Sequence, residues 1–488
     1  MKDISKANRT RTETSPRAGG SQRPVVWFAL AVGSLIIAGL FSLLLILGRM
    51  PPFSQWLPYP AFFRRCLVVH VDLALIIWFY AFVAGLLQFL PMKAGSSVVG
   101  RSAPIFSVTG TAMMIGTALI PGAEPVLVNY VPVLDHPLFL IGLGLFAVGI
   151  LLTVVSARYS PEASSGLPGS SFPPAAVYGL KAAAVAILTA LVTFAAAWSV
   201  TPFELAREAY FEFLFWGGGH VLQVASVCAM VSVWLILLSS KLERPVIGAV
   251  PAAILFAWLV LPHLASPFLA LHGTETGLYR TGATRLMEFG IFPPVTIFLV
   301  WLLIETRKVA SRRDKKSRFW SDPRIVGFST SAGLTIVGFG LGASIGSSST
   351  TIPAHYHASI GAVTVAFMTF GLHVREVLRL PFKHRRLRKI APWQPLLFGA
   401  GQIVFACGFA LAGASGMGRK LFGPEQLIQG WTDFLGLVVM GVGGIVAISG
   451  GLLFIILAVD AALGRISKAS MPATAMFLRT PTGGPDDV

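Results

Sequence analysis

Apolar stretches long enough to cross a bilayer recur along this chain from end to end, with no soluble domain between them. About twelve such spans can be counted. Their centres lie near Ile37, Phe79, Met114, Gly144, Leu188, Cys228, Leu259, Ile297, Ile336, Val365, Val404 and Gly444. The pattern predicts an all-α polytopic membrane protein, a bundle of twelve transmembrane helices over residues 24–465. It is flanked by a disordered basic tail over 1–23 and a C-terminal tail over 466–488. The third, ninth and eleventh spans are rich in Gly, Ser or Thr, small residues that let helices approach closely. Tandem Pro293-Pro294 predicts a kink or local opening in span eight.

Composition agrees. Hydrophobic residues are 55% of the chain and charged residues 12%, more apolar surface than a soluble domain of 488 residues needs. The formal net charge is +17, and the basic residues sit in alternate loops. One group runs from Arg307 to Arg318 after span eight and another from Lys383 to Lys389 after span ten. A third is the N-terminal tail, with Lys2, Lys6, Arg9, Arg11, Arg17 and Arg23. An even number of spans separates these groups, so they share one side. The positive-inside rule makes that side the cytoplasm and puts both termini there. Topology thus accounts for the charge, and no nucleic-acid partner is expected.

The apolar run after the tail is too long for a cleavable signal and lacks a small-residue cleavage site, so it reads as span one. Cys66, Cys228 and Cys407 read as packing residues. The chain has no C-x-x-C-H for covalent haem, no paired-cysteine copper motif, no Walker motif and no Rossmann fingerprint. No transporter-type repeat is visible either.

The chemistry concentrates in histidines. Pro353-Ala354-His355-Tyr356-His357 opens span ten, where ionisable side chains inside a bilayer normally serve a function. At i, i+2 the two imidazoles point roughly 200° apart around the helix. One helix can then ligate two separate metal centres on opposite faces, as two haems gripped by a shared helix would need. His384 sits in a basic loop and His373 near the cytoplasmic end of span ten; His136 and His272 mark solvated outer ends of spans four and seven. The other five form a layer: His70 in span two, His220 in span six, His263 in span seven, and His355 and His357 in span ten. At about 1.5 Å per residue all lie roughly 5–15 Å below the outer surface. Histidine is the usual ligand of haem iron and buried copper.

These residues resemble subunit I of the haem-copper oxidases, the superfamily of respiratory oxygen reductases and nitric oxide reductases, and nearly the whole chain is covered. Ala354-His355-Tyr356-His357 is similar to the helix-ten motif, Val69-His70-Val71-Asp72-Leu73 to the helix-two segment, and Trp216-Gly217-Gly218-Gly219-His220 to the helix-six segment. Gly416-Met417-Gly418-Arg419-Lys420 resembles the outer-loop basic pair that holds haem propionates. The resemblance implies a low-spin haem between His70 and His357, a high-spin reactive haem on His355 and copper on His220. His263 joins the copper set by depth, without a motif match. It also implies the catalytic subunit of a respiratory oxidase-like complex in the bacterial inner (plasma) membrane. Electrons would enter from a partner subunit carrying copper or c-type haem, and the substrate would be oxygen or nitric oxide.

The chain departs from that family where the chemistry happens. The usual helix-seven pair of adjacent histidines is missing; the segment reads Val260-Leu261-Pro262-His263-Leu264-Ala265. The usual tyrosine four residues after the helix-six histidine is Val224, preceded by Gln223, and span seven has no tyrosine. Glu212 and Glu288 invite comparison with nitric oxide reductases, which place carboxylates beside a non-haem iron; the plainer reading of Glu212 is an interfacial carboxylate near Arg207. Three alternatives to oxygen reduction stand beside it: nitric oxide reduction, a degenerate haem protein serving electron transfer or sensing, and a haem-free transporter.

Overall fold

A computed structural model describes residues 23–47, 60–91, 93, 97–159, 172–312, 319–346, 349–378, 380–418 and 430–469. Among these residues twelve helices are long and apolar enough to cross a membrane. The chain is a multi-pass integral membrane protein, and each predicted span is a helix. They are α1 (Arg23–Leu47), α2, α3 (Ser97–Thr117), α4 (Pro137–Ser156), α5 (Pro174–Val200) and α6 (Arg207–Leu242). Then come α7, α8 (Gly277–Ser311), α9 (Pro323–Ala343), α10 (Thr351–Val377), α11 (Gln394–Ala414) and α12 (Trp431–Ala469). Met114 lies near the end of α3 rather than at its centre, because the helix begins in the polar stretch at Ser97.

Two spans are built in pieces. In α2, Pro60–Asp72 passes into a π-helical turn, Leu73–Ile77, and then Trp78–Leu87. Such a turn inserts an extra residue and re-aims the side chains around it. In α7, Pro262 breaks the helix into Ala249–Val260, a 3-10 segment Leu261–Ala265, and Ser266–Leu271. By contrast, α8 stays helical through Pro293-Pro294. Pro293 cannot donate to the Phe289 carbonyl one turn earlier, but the Trp258 indole N–H does so at 3.2 Å.

Helix starts follow local chemistry. Asp322 caps α9 by accepting from the Arg324 N–H at 3.0 Å, with Pro323 in the first turn. His136 caps α4 in the same way, which is the use the fold makes of it. Sequence neighbours pack along their lengths, notably α3 with α4, α5 with α6, α9 with α10 and α11 with α12. The small residues expected in spans three, nine and eleven stand at these seams. A Cβ on Gly110 would lie 2.3 Å from the Gly142 oxygen, and one on Gly401 would lie 2.3 Å from the Ala447 nitrogen.

The most enclosed helices are α2, α6 and α10. Ion pairs pin the cytoplasmic ends of α6 and α10. Buried Arg375 on α10 meets Asp460 on α12 at 2.5 Å and donates to the carbonyls of Leu457 and Pro381. Asp322 receives Lys241 of α6 at 2.7 Å and Arg324 at 3.0 Å. Burial would raise the Asp322 carboxyl, but those two donors hold it at about 2. At the outer end a small antiparallel hairpin, β1 (Glu124–Val126) and β2 (Val133–Asp135), lies between α3 and α4.

Candidate functional site

Residue spacing on α10 sets the site. His355 turns toward α9, where its Nδ1 donates to the Gly338 carbonyl at 2.7 Å and Gly342 leaves room for the ring. His357 turns the other way, toward α11, against the rings of Phe405 and Phe409 at 4.5 and 5.9 Å. On α2, His70 donates from Nδ1 to the Ala38 carbonyl of α1 at 2.8 Å. A carbonyl can only accept, so it fixes the proton on Nδ1 and leaves the Nε2 lone pair free on His70 and His355. Although enclosed by the bundle, His70, His355 and His357 are only half-buried. Imidazoles with Nδ1 anchored and Nε2 turned to space are suited to bind haem iron.

The space beside His355 is a cavity of about 370 Å³, within the size of small-molecule pockets. Its walls are mostly apolar and include Phe79 and Tyr80 of α2, Leu222 of α6, Ile291 of α8 and Phe339 of α9. Outside it lies a vestibule of about 890 Å³ whose border includes Glu208, Glu212, Trp216, His220 and Arg280. The two spaces share Asn129, Tyr130, Met287 and Tyr356 as wall.

That shared wall is the part sequence reasoning missed. Tyr130 comes from the loop of the outer hairpin, with φ 66°, a left-handed conformation that costs a bulky residue of order 1–3 kcal/mol. The Trp216-Gly217-Gly218-Gly219-His220 run explains how it fits. A Cβ on Gly217 would meet Tyr279, one on Gly218 would meet Phe194, and one on Gly219 would lie 2.5 Å from Tyr130 Cβ. Three consecutive glycines thus admit three aromatic rings to one stretch of helix. That triplet was the available signal for Tyr130, since a bulky residue must fill each gap. Three contacts brace the loop and its strand: the Asn129 N–H donates to Glu212 Oε2 at 2.8 Å, its side-chain amide donates to Oε1, and Arg207 pairs with Asp135 at 2.6 Å. Glu212 thus binds the hairpin through Asn129, while Arg207 takes Asp135.

His220 donates from Nδ1 to the Trp216 carbonyl at 2.7 Å, so its Nε2 accepts the Tyr130 phenolic O–H at 2.8 Å. Both ring nitrogens are used. Burial pushes the Tyr130 phenol well above its usual range, with Tyr356 and Glu212 adding to the shift, so it stays protonated as the donor. His263, in the 3-10 segment made by Pro262, donates from Nδ1 to the Leu259 carbonyl at 3.0 Å. Its ring fills the space over Gly290 of α8, and its Nε2 is buried without a partner. Neither lining above includes His263. Among the described residues no three of His, Cys, Asp and Glu gather as a metal site. His220 thus holds a phenol on its Nε2, whereas His263 keeps a buried Nε2 without a partner.

Arg419 and Lys420 lie outside the described residues. The segment just before them is held against the start of α10 by the Thr350 N–H bonded to the Met417 carbonyl at 2.9 Å and by the Ser349–Gly418 bridge. Glu288 pairs with Arg285 at 2.9 Å on the exposed face of α8.

No family model matches the chain. It is 27% identical over 379 residues to an uncharacterized protein of Aquifex aeolicus, covering 76% of this chain and 90% of that one. It is 24% identical over 490 residues to uncharacterized protein RP382 of Rickettsia prowazekii, covering 88% and 94%. Among solved structures it is similar to a chain of a heme-copper terminal oxidase dimer, with a TM-score of 0.65, 16% identity, and 92% and 84% of the two chains covered. At that identity the likeness is one of fold, and over nearly its whole length this chain has the fold of that oxidase chain.

Proposed function

We propose that this chain is the haem-carrying subunit of an oxidase-like complex of the bacterial inner membrane. His70 and His357 hold one low-spin haem, and His355 holds a second, five-coordinate haem that faces the apolar cavity. The low-spin haem, filled on both faces, transfers electrons; the other keeps one position for a small gas, with oxygen the leading substrate. Arg419 and Lys420 would hold propionates at the outer surface. Electrons would come from a partner subunit with copper or c-type haem. The observation that carries this reading is the arrangement of the three half-buried histidines, with Nδ1 of His70 and of His355 anchored on a backbone carbonyl.

A second reading is favoured by the capped His220 and the packed His263. Without a second metal, the cavity would bind a gas for electron transfer or sensing rather than four-electron reduction. Spectra of purified variants test the haem assignment. His70→Ala and His357→Ala should each abolish the low-spin optical bands and leave the high-spin signal. Intact low-spin bands in both would reject it. Oxygen uptake with an artificial electron donor then separates the two readings, since only the reductase consumes oxygen steadily.

A further inference from the structure

We infer that Tyr130 and His220 form the polar distal pair of the cavity that His355 lines, standing in place of a second metal and managing the proton of a small protic ligand. The inference rests on the haem reading of His355. Tyr130 borders both the cavity and the vestibule, and His220 borders the vestibule. Their hydrogen bond of 2.8 Å links the two. Several features hold Tyr130 where it is: the strained φ of 66°, the gap left by Gly219, and the Glu212 clamp on Asn129. Such strain persists only where the surroundings over-determine it, and it clusters at working sites.

The Trp216 carbonyl fixes the direction of the pair. With Nδ1 of His220 already donating, the phenol must give its proton to Nε2, and its oxygen is left as an acceptor in a mostly apolar wall. A ligand that sheds a proton on binding iron can pass it to this oxygen while the phenolic proton moves to His220 Nε2. The imidazolium N–H then donates to Tyr130, whose O–H turns to the bound ligand. No electron moves, and the proton count is unchanged. Hydrogen cyanide, which loses its proton as it binds ferric haem, is the probe.

The test is cyanide titration of the purified ferric protein, followed in the haem spectrum, with copper measured on the same sample. Tyr130→Phe should keep both sets of haem bands and weaken cyanide binding about tenfold, the equivalent of one hydrogen bond to a charged ligand. Gly219→Ala, which keeps the phenol but displaces it, should weaken binding to a similar degree. Affinity unchanged within twofold in Tyr130→Phe overturns the pair. One copper per chain that is lost in His220→Gln also overturns it, because the phenol could not then occupy Nε2. Loss of haem from both Tyr130→Phe and Gly219→Ala overturns it as well, since the pair would then belong to the fold rather than the pocket. Absence of high-spin haem in the unaltered protein would instead fail the underlying haem reading.

Discussion

The histidines on the two sides of the cavity are treated differently by the fold. His70, His355 and His357 keep exposed surface inside the bundle, and two of them anchor Nδ1 on a neighbouring helix. His220 and His263 are 2% and 1% exposed and anchor Nδ1 on their own helix one turn back. An imidazole bonded within its own turn is held by one helix; one tied across helices is held between two, which suits the ligand role proposed for His70 and His355. The common depth expected for all five does not separate these cases. What separates them is the depth of burial of the ring and, for His70 and His355, an anchor on a neighbouring helix rather than on their own.

Paired substitutions test this contrast with the largest expected difference. His355→Leu should remove the high-spin haem and its ligand-binding spectrum. His263→Leu should leave both haem spectra intact and change stability by only about 1 kcal/mol, since it trades one anchored nitrogen for relief of a buried unpaired one. Optical spectra and thermal unfolding of the two variants read this out. Equal loss of haem in both would erase the contrast.

The helices and the histidine layer were legible in the sequence because lipid imposes long apolar runs and makes buried histidine costly. The opposite aim of His355 and His357 followed from helical geometry. Tyr130 was not legible as a site residue. It is brought to His220 from 90 positions away by a hairpin loop. A search for tyrosines confined to spans six and seven could not reach it. The state of His263 was hidden for a related reason. Its depth was readable, but its burial over Gly290 depends on how α7, bent at Pro262, meets α8. The partner of Glu212, Asn129, was out of reach for the same reason, since it lies on the same hairpin.

A smaller effect is expected far from the cavity. Asp322→Ala should cost about 1 kcal/mol through loss of a helix cap, with haem spectra unchanged. The wild-type contribution has a defined pH window. The folded-state carboxyl sits at about 2, below the usual carboxylate value of about 3.9 in an unfolded chain. Its stabilisation is therefore complete above pH ~4 and is lost as pH falls toward ~2. Acid unfolding of the variant should lack this component. A haem spectrum altered by Asp322→Ala would mean that the cytoplasmic clamp governs the outer half as well.

The most direct test is the metal and haem content of the purified full-length protein. Two irons per chain, both extractable as haem, with copper well below one per chain, is the predicted result. No haem, or one tightly held copper beside the two haems, would contradict the account. The first result would remove the role of His70, His355 and His357, and the second would remove the contrast between the two sides of the cavity.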